Sequence, residues 1–160
     1  MLNRRVLNLA LLAMALTGCA SVPIPVSVAD TIAHNPSLST FSSLITQASL
    51  SATLQGPGPF TVFAPSNDAF KLLPATTLDE LKKHPEKLRN VLAFHIIPGK
   101  LMANEVKNSS VKTLNGANIA LSKAGDFVTA EETMVEQKDI QASNGLIHII
   151  DGVLTPPIKK

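Results

Sequence analysis

Hydrophobic periodicity switches once along this chain, from helical in the first half to strand-like in the second, and that switch limits the fold more than any other feature. Asp30 to Ser49 predicts two helical pieces broken near Asn35-Pro36, with Ser37 as N-cap of the second. Leu38, Phe41, Leu44, Ile45 and Ala48 then fall at helical spacing and make one apolar face. Gly56-Pro57-Gly58-Pro59 must turn. Phe60 to Ala64 predicts a strand that Pro65 ends, and Ser66 caps a short helix through Phe70. Thr77 to Glu80 has the spacing of a capping box, with the Glu80 carboxylate able to reach back to the cap amide. Pro85 suits the first turn of the next helix, where its missing N–H is no loss. Leu88, Val91, Leu92 and His95 line one face of that helix, and Pro98-Gly99 closes the region.

From Val111 onward the pattern is different. Val111 to Leu114, Asn115-Gly116 and Ile119 to Leu121 predict a hairpin, because Asn-Gly tolerates the positive φ that a two-residue turn requires. Phe127 to Ala130 and Met134 to Ala142 are further strands. Ser143-Asn144-Gly145 predicts a second hairpin turn into Leu146 to Asp151, and Pro156-Pro157 stops the domain. Helices first and strands last, with one early strand, is the order of an α+β domain rather than of alternating βαβ units.

The N-terminus carries a separate instruction. Arg4 and Arg5 precede an apolar run from Val6 to Leu16, too short for an ordinary membrane-spanning helix, which needs about 20 residues. Residues 1–18 therefore read as a cleaved secretion signal. Leu16-Thr17-Gly18-Cys19 resembles the lipobox of bacterial lipoproteins. That resemblance implies a diacylglycerol on the Cys19 thiol and makes Cys19 the lipidated first residue, with 19–28 a lipidated start and short proline-bearing spacer. The expected partition is then a domain at 29–157 and a tail at 158–160. The resemblance also implies export and a lipid-anchored place in the cell envelope, at the periplasmic face or surface of the outer membrane.

Composition excludes several classes. Arg4 and Arg5 lie in the signal, so the mature chain holds 12 basic and 12 acidic residues and no net charge. With no Trp, no Tyr and no basic excess, nucleic acid is not an expected partner. Cys19 is the single cysteine, so the domain folds without an internal disulfide and relies on its core. His34, His84, His95 and His148 have no i,i+4 pairing and no thiolate to join, so no metal site is expected. Neither a nucleophile elbow nor a phosphate loop is present, so no catalytic residues and no cofactor are expected.

Three stretches line up, in order, with one family. Phe60-Thr61-Val62-Phe63-Ala64-Pro65-Ser66-Asn67-Asp68-Ala69-Phe70 resembles the first signature box of fasciclin domains. Val91 to Gly99 resembles the central helix–strand segment with its histidine, and Ser143 to Asp151 resembles the closing box. The resemblance implies a wedge-shaped β-sandwich of about seven strands with helices packed at one side. It also implies a non-enzymatic domain of adhesion and protein–protein contact, with an unknown envelope or extracellular protein as partner. In animal members a Tyr-His pair and an Asp-Ile pair are linked to contact. The matching positions here are Phe94-His95, which lacks the phenolic hydroxyl, and Asp139-Ile140.

Residue by residue, structural roles are expected to dominate. His95 lies on the apolar stripe and should point inward with a hydrogen-bond partner, expected to be Asp68 or Asn67. His148 alternates with Ile147 and Ile149, so it faces away from them on a strand covered on both sides. Asp68 sits in the first turn of a helix, where a carboxylate favours the helix dipole. Lys82, Lys83, Lys87 and Arg89 form a basic cluster able to meet anionic headgroups below a short tether. The apolar content (45%, mean hydropathy +0.22) allows a second function, carriage of a small apolar ligand such as a carotenoid or lipid.

Overall fold

The computed structural model of the chain describes residues 26–157. The signal, Cys19, most of the spacer and the tail at 158–160 lie outside the described residues. Ser27 opens the first helix, α1 (Val28–His34), its hydroxyl accepting the Asp30 N–H at 3.2 Å. Asn35 ends α1 and starts a 3-10 turn over Pro36–Leu38, because its side-chain oxygen accepts the Ser37 N–H at 3.0 Å. Ser37 is thus consumed inside that turn and does not cap α2 (Ser39–Gln47). The Thr40 N–H of α2 is instead satisfied from elsewhere in the chain, by Asn67 Oδ1 at 3.0 Å.

Helix α3 (Ser51–Gln55) leads into the Gly-Pro turn and then into β1 (Phe60–Pro65). Ser66 caps α4 (Asn67–Lys71) as expected, accepting the Ala69 N–H at 3.2 Å. Helix α5 (Ala75–Lys83) starts two residues ahead of the expected capping box, directly after Pro74 and without a side-chain cap. Thr77 therefore lies within the helix. Pro85 does occupy the first turn of α6 (Pro85–Phe94). Pro98 does not simply close the helical region, for Ile96–Pro98 forms strand β2, paired antiparallel to β1.

The remaining strands are β3 (Ser109–Lys112), β4 (Asn118–Ala124), β5 (Phe127–Ala130), β6 (Thr133–Ala142) and β7 (Gly145–Ile150). Between β3 and β4 the expected two-residue turn is replaced by a loop over 113–117, since Lys112 pairs with Asn118. Asn115 Oδ1 accepts both the Thr113 hydroxyl and the Ala117 N–H, at 2.8 Å each, and only Gly116 takes a positive φ. The Asx closure of the loop replaces the primed turn.

The strand order is β2-β1-β7-β6-β5-β4-β3, with β1 and β7 parallel and every other pair antiparallel. Strand β6 carries two register irregularities, between Val135 and Gln137 and between Gln137 and Ile140, and there the sheet changes direction. Phe63, Ile97 and Ile150 from one half then share a buried cluster with Ile119, Leu121, Val128 and Ala130 from the other, so the two halves face each other as a sandwich. The second cluster lies on the other side of β1 and β7, where Val62, Ala64, Ile147 and Ile149 pack under Ile32, Phe41, Leu54, Leu88 and Leu92 of the helices. Period-2 alternation along β1 and β7 feeds both cores, and every residue of β7 is buried. The fold is α+β, with the helices gathered on one side of a seven-stranded sandwich.

Asn144 joins these parts. Its Oδ1 accepts the Val28 N–H at 2.7 Å, its Nδ2 donates to the Leu54 and Gly56 carbonyls at 2.7 Å each, and its own carbonyl accepts the Phe60 N–H at 3.0 Å. One residue thereby fixes the start of α1 and the end of α3 through its side chain, and the start of β1 through its backbone. No helix among the described residues is long and apolar enough to cross a membrane.

Candidate contact site

Strand β1 is flanked by β2, which follows α6 and His95, and by β7, which carries His148, and the structure uses both histidines internally. His95 follows α6 and is fully buried, at 0% exposure. Its Nδ1 donates to the Val91 carbonyl at 2.8 Å, and its Nε2 accepts the Leu154 N–H at 3.0 Å. That pairing defines a neutral ring with the proton on Nδ1. The ring packs beside Phe41 at 5.8 Å, and burial pushes its pKa down to about 4, offset in part by the Val91 hydrogen bond.

The expected partnership of His95 with Asn67 or Asp68 is not formed. Asn67 stands at the head of α4, where its amide reaches the Pro36 carbonyl at 2.8 Å and the Thr40 N–H at 3.0 Å. Asp68 is exposed and pairs with Lys71 at 2.7 Å. A histidine at a helix end has a free carbonyl one turn back, and that local acceptor replaces the long-range side chain expected for it.

His148 is built the same way with the other tautomer. Its Nε2 donates to the Leu101 carbonyl at 2.9 Å, and its Nδ1 accepts the Asp139 N–H at 3.2 Å. The ring lies 5.3 Å from Phe63. Burial lowers its pKa, while the Leu101 hydrogen bond and then the Asp139 charge act in the opposite sense. Asp139 sits in the β6 irregularity with φ 57° and holds the 99–108 connection, its Oδ1 accepting the Ala103 N–H at 2.8 Å. A non-glycine residue in that region is uncommon and is tolerated best by Asn and Asp.

These positions do not compose a binding face. Phe94 (1% exposed) and His95 are sealed in two different cores, so neither touches a partner directly. Asp139 and Ile140 are half-buried, and Ile140 packs against the helical core. The exposed apolar side chains lie elsewhere. On β5, Val128 and Ala130 point inward, so Phe127 (66% exposed) and Thr129 point outward. Thr129 pairs with Met134 (45% exposed), Ser122 with Thr129, and Ala124 with Phe127. The outer face of β4, β5 and β6 is therefore a strip of small and apolar side chains around Phe127 and Met134. Sequence reasoning missed it. The available signal was the Phe-Val-Thr-Ala alternation of β5, which cannot turn both Phe127 and Val128 inward.

Two of the surface depressions border the helices. A cavity of about 430 Å³ opens between α5, α6, the 113–117 loop and the C-terminal segment, lined by Leu81, Val91, Ala117 and Pro156, with Lys87 at its edge. A shallower one of about 560 Å³ lies beside α1, at Val26, His34 and Gln141. Among the described residues no three His, Cys, Asp or Glu side chains converge as a metal site would require.

A family model described as the fasciclin domain matches residues 36–156. The chain is 36% identical over 146 residues to protein sll1483 of Synechocystis sp., covering 90% of this chain and 81% of that one. It is 34% identical over 135 residues to the cell surface glycolipoprotein MPB83 of Mycobacterium bovis, covering 81% of this chain and 60% of the relative. Among solved structures, a FAS1 domain pair from the insect cell adhesion molecule fasciclin I superposes with a TM-score of 0.67 at 16% identity, covering 81% of this chain and 51% of the pair.

Proposed function

The chain belongs to the fasciclin domain family, and from that premise we propose that it is a non-enzymatic contact module, exported and held at the cell envelope by a lipid on Cys19. Its partner is another envelope or extracellular protein. The observation that carries this reading is the outward strip around Phe127, an aromatic side chain left 66% exposed on a strand whose Val128 and Ala130 are buried. Aromatic residues and Met are the side chains most enriched where proteins meet. His95 and His148 are neutral and hydrogen-bonded on both ring nitrogens, which leaves them no proton to exchange and no free lone pair for a substrate. The anchor is supported by the Leu-x-Gly-Cys pattern and by the likeness to a relative named as a glycolipoprotein. With at least two acyl chains, such an anchor holds firmly.

The test is photo-crosslinking in intact cells from a reactive residue placed at position 127, followed by mass spectrometry. A discrete protein adduct that is absent when the same group is placed at Leu72, which is 79% exposed, supports the reading. Identical patterns from both positions would remove the role of the strip. Cys19→Ser should move the protein from the membrane to the soluble fraction, and unchanged retention would count against the anchor.

A second reading, carriage of a small apolar ligand, is favoured by the cavity of about 430 Å³, whose Leu81, Val91, Ala117 and Pro156 walls are apolar. Material purified from the native host separates the two readings. Visible absorbance or extractable lipid in stoichiometric amount supports carriage, and a colourless, lipid-free protein supports contact with another macromolecule.

A further inference from the structure

Two Asn-Gly steps occur in this domain, Asn115-Gly116 and Asn144-Gly145, and the fold gives them opposite surroundings. An asparagine amide carbon is an electrophile within reach of the next residue's backbone nitrogen. Glycine, without a Cβ, hinders that nitrogen least. In the 113–117 loop Asn115 is half-buried and Gly116 is exposed. The Ala117 N–H donates to Asn115 Oδ1 at 2.8 Å, which folds the side-chain carbonyl back over the intervening Gly116 peptide. That fixed donor draws charge from the Cγ–Oδ1 bond and stays in place as an oxyanion develops there. The Thr113 hydroxyl, 2.8 Å from Oδ1 and 2.7 Å from the Ala117 carbonyl, shares its one proton between them. The amide nitrogen of Asn115 is held only by a 3.4 Å contact to the Asn90 carbonyl. Gly116 has φ 88°, and beyond its chain neighbours no atom lies within 4 Å of the place a Cβ would take. Its N–H donates to the Thr113 carbonyl at 3.0 Å, a single bond at an exposed residue that must open before the nitrogen loses its proton.

Asn144-Gly145 is the same dipeptide held fast. Asn144 Nδ2 donates to two carbonyls at 2.7 Å, and Oδ1 accepts the Val28 N–H at 2.7 Å. Gly145 is buried at the start of β7, between Phe60 of β1 and Ala142 of β6, and the Phe60 carbonyl oxygen stands against the place a Cβ would take. Attack there requires Gly145 to leave its two-sided pairing and all three side-chain bonds of Asn144 to break.

We propose that Asn115 is a self-modification site, at which the folded domain slowly converts its own asparagine to aspartate and isoaspartate while Asn144 is protected. The Gly116 nitrogen gives up its proton to base and bonds to Asn115 Cγ. The Cγ–Nδ2 bond breaks, and Nδ2 leaves as ammonia with a proton from water. Water then opens the cyclic imide, so the net change is hydrolysis of the side-chain amide. Addition of water at Cγ gives aspartate. Addition at the main-chain carbonyl gives isoaspartate, whose backbone runs through Cβ and Cγ. Asn115 lines two hollows, one holding Lys87 and the other Glu86 and Arg89, so either product places a new carboxylate on their shared wall. Aspartate keeps an acceptor for the Ala117 N–H. Isoaspartate adds a backbone atom to a loop pinned by the Lys112–Asn118 pair, and so displaces that wall.

The test incubates the full mature protein in mildly alkaline buffer, folded in one arm and unfolded in urea in the other. Peptides are followed by mass spectrometry for replacement of the amide nitrogen by oxygen, and isoaspartyl methyltransferase labelling counts the isomer. In urea both Asn-Gly steps should react at comparable rates. In the folded protein Asn144 should be at least about 100-fold slower than in urea, because three hydrogen bonds, a factor of about five each, must break together. Asn115 should stay within about tenfold of its unfolded rate, the cost of opening the one Gly116 bond. Its rate should rise about tenfold per pH unit, because the nucleophile is the deprotonated nitrogen. Asn115→Gln, whose longer side chain closes the ring poorly, should abolish the change in this peptide, and persistence of the change would overturn the assignment. Protection of Asn115 as deep as that of Asn144, or Asn144 reacting first in the folded protein, would overturn it as well.

Discussion

The neutral, doubly bonded state of His95 makes acid a specific perturbant of this fold. The ring titrates at about 4 when buried, against about 6.5 in an unfolded chain. Between those values the unfolded state binds the proton and the native state does not, so stability is complete above pH 6.5 and declines as pH falls towards 4. The mechanism is visible in the geometry. A proton on Nε2 would confront the Leu154 N–H, donor against donor, in a site without water-exposed alternatives. Evaluated at pH 5, where most carboxylates are still ionised, the linkage removes about 2 kcal/mol, approaching about 3 kcal/mol at lower pH. Urea unfolding at pH 7 and pH 5 measures this directly, and with a slope of about 2 kcal/mol per molar the midpoint should fall by about 1 M. His148 shifts in the same direction, so the specific control is His95→Gln, whose amide carries both a donor and an acceptor and does not titrate. That variant should be less stable at pH 7 by about 1–3 kcal/mol, because its longer amide cannot serve both partners in their present places. Its loss between pH 7 and pH 5 should be smaller than that of the parent by about 2 kcal/mol. An identical pH dependence in parent and variant would refute the reasoning.

Two further outcomes follow from the Asn144–Gly145 corner. In Gly145→Ala the new Cβ would lie 2.1 Å from the Phe60 carbonyl oxygen and 2.9 Å from Val28 Cγ2, so β1 and α1 must both retreat. A loss of about 3 kcal/mol in urea unfolding is expected, and a loss under 1 kcal/mol would show that the corner is soft. Asn144→Ala orphans the Val28 N–H and the Leu54 and Gly56 carbonyls, a loss of about 2 kcal/mol or more, and amide exchange should accelerate at Val28. Asn144→Asp should be worse at neutral pH than Asn144→Ala, because a carboxylate oxygen then faces two carbonyls. A more stable Asp variant would contradict the hydrogen-bond assignment.

The helix-then-strand order was legible because the punctuation is local. Asn35-Pro36, the Gly-Pro turn, Pro65-Ser66 and Pro85 each act through their own backbone geometry, and the structure breaks or starts an element at every one. The two-sided burial of β7 was legible too, since Leu146 to Ile150 alternates apolar residues on both faces around a single histidine. Local signals failed where a competing side chain two residues away, or a tertiary partner, displaced them. Ser37 and Asn115-Gly116 have the right chemistry for a cap and a primed turn, yet Asn35, Thr113 and Asn115 side chains close those segments differently. Asn67 supplies the amide of α2 with a hydrogen bond from beyond β1, which no window of neighbouring residues could reveal.

The contact site was less legible than the fold for a related reason. A motif box reports which residues the domain needs, and here the domain needs Phe94, His95, Asp139 and His148 for its interior: Phe94 fills a core, and the other three join segments through hydrogen bonds. Each histidine takes one partner close by or on a neighbouring segment and one set by the tertiary fold. Val91 is one turn back from His95, whereas Leu154 lies 59 residues on. Leu101 meets His148 across 47 residues and Asp139 meets it across the hairpin. Such residues are constrained by folding, and their chemistry is satisfied before any partner arrives. A surface used for contact must be free of that constraint, and Phe127 is: its strand pairs through the backbone, and its side chain is 66% exposed. Phe127→Ser should accordingly leave stability within about 0.5 kcal/mol while weakening the protein adduct formed from a reactive residue placed at neighbouring Thr129, a separation that no substitution at His95 or His148 can produce.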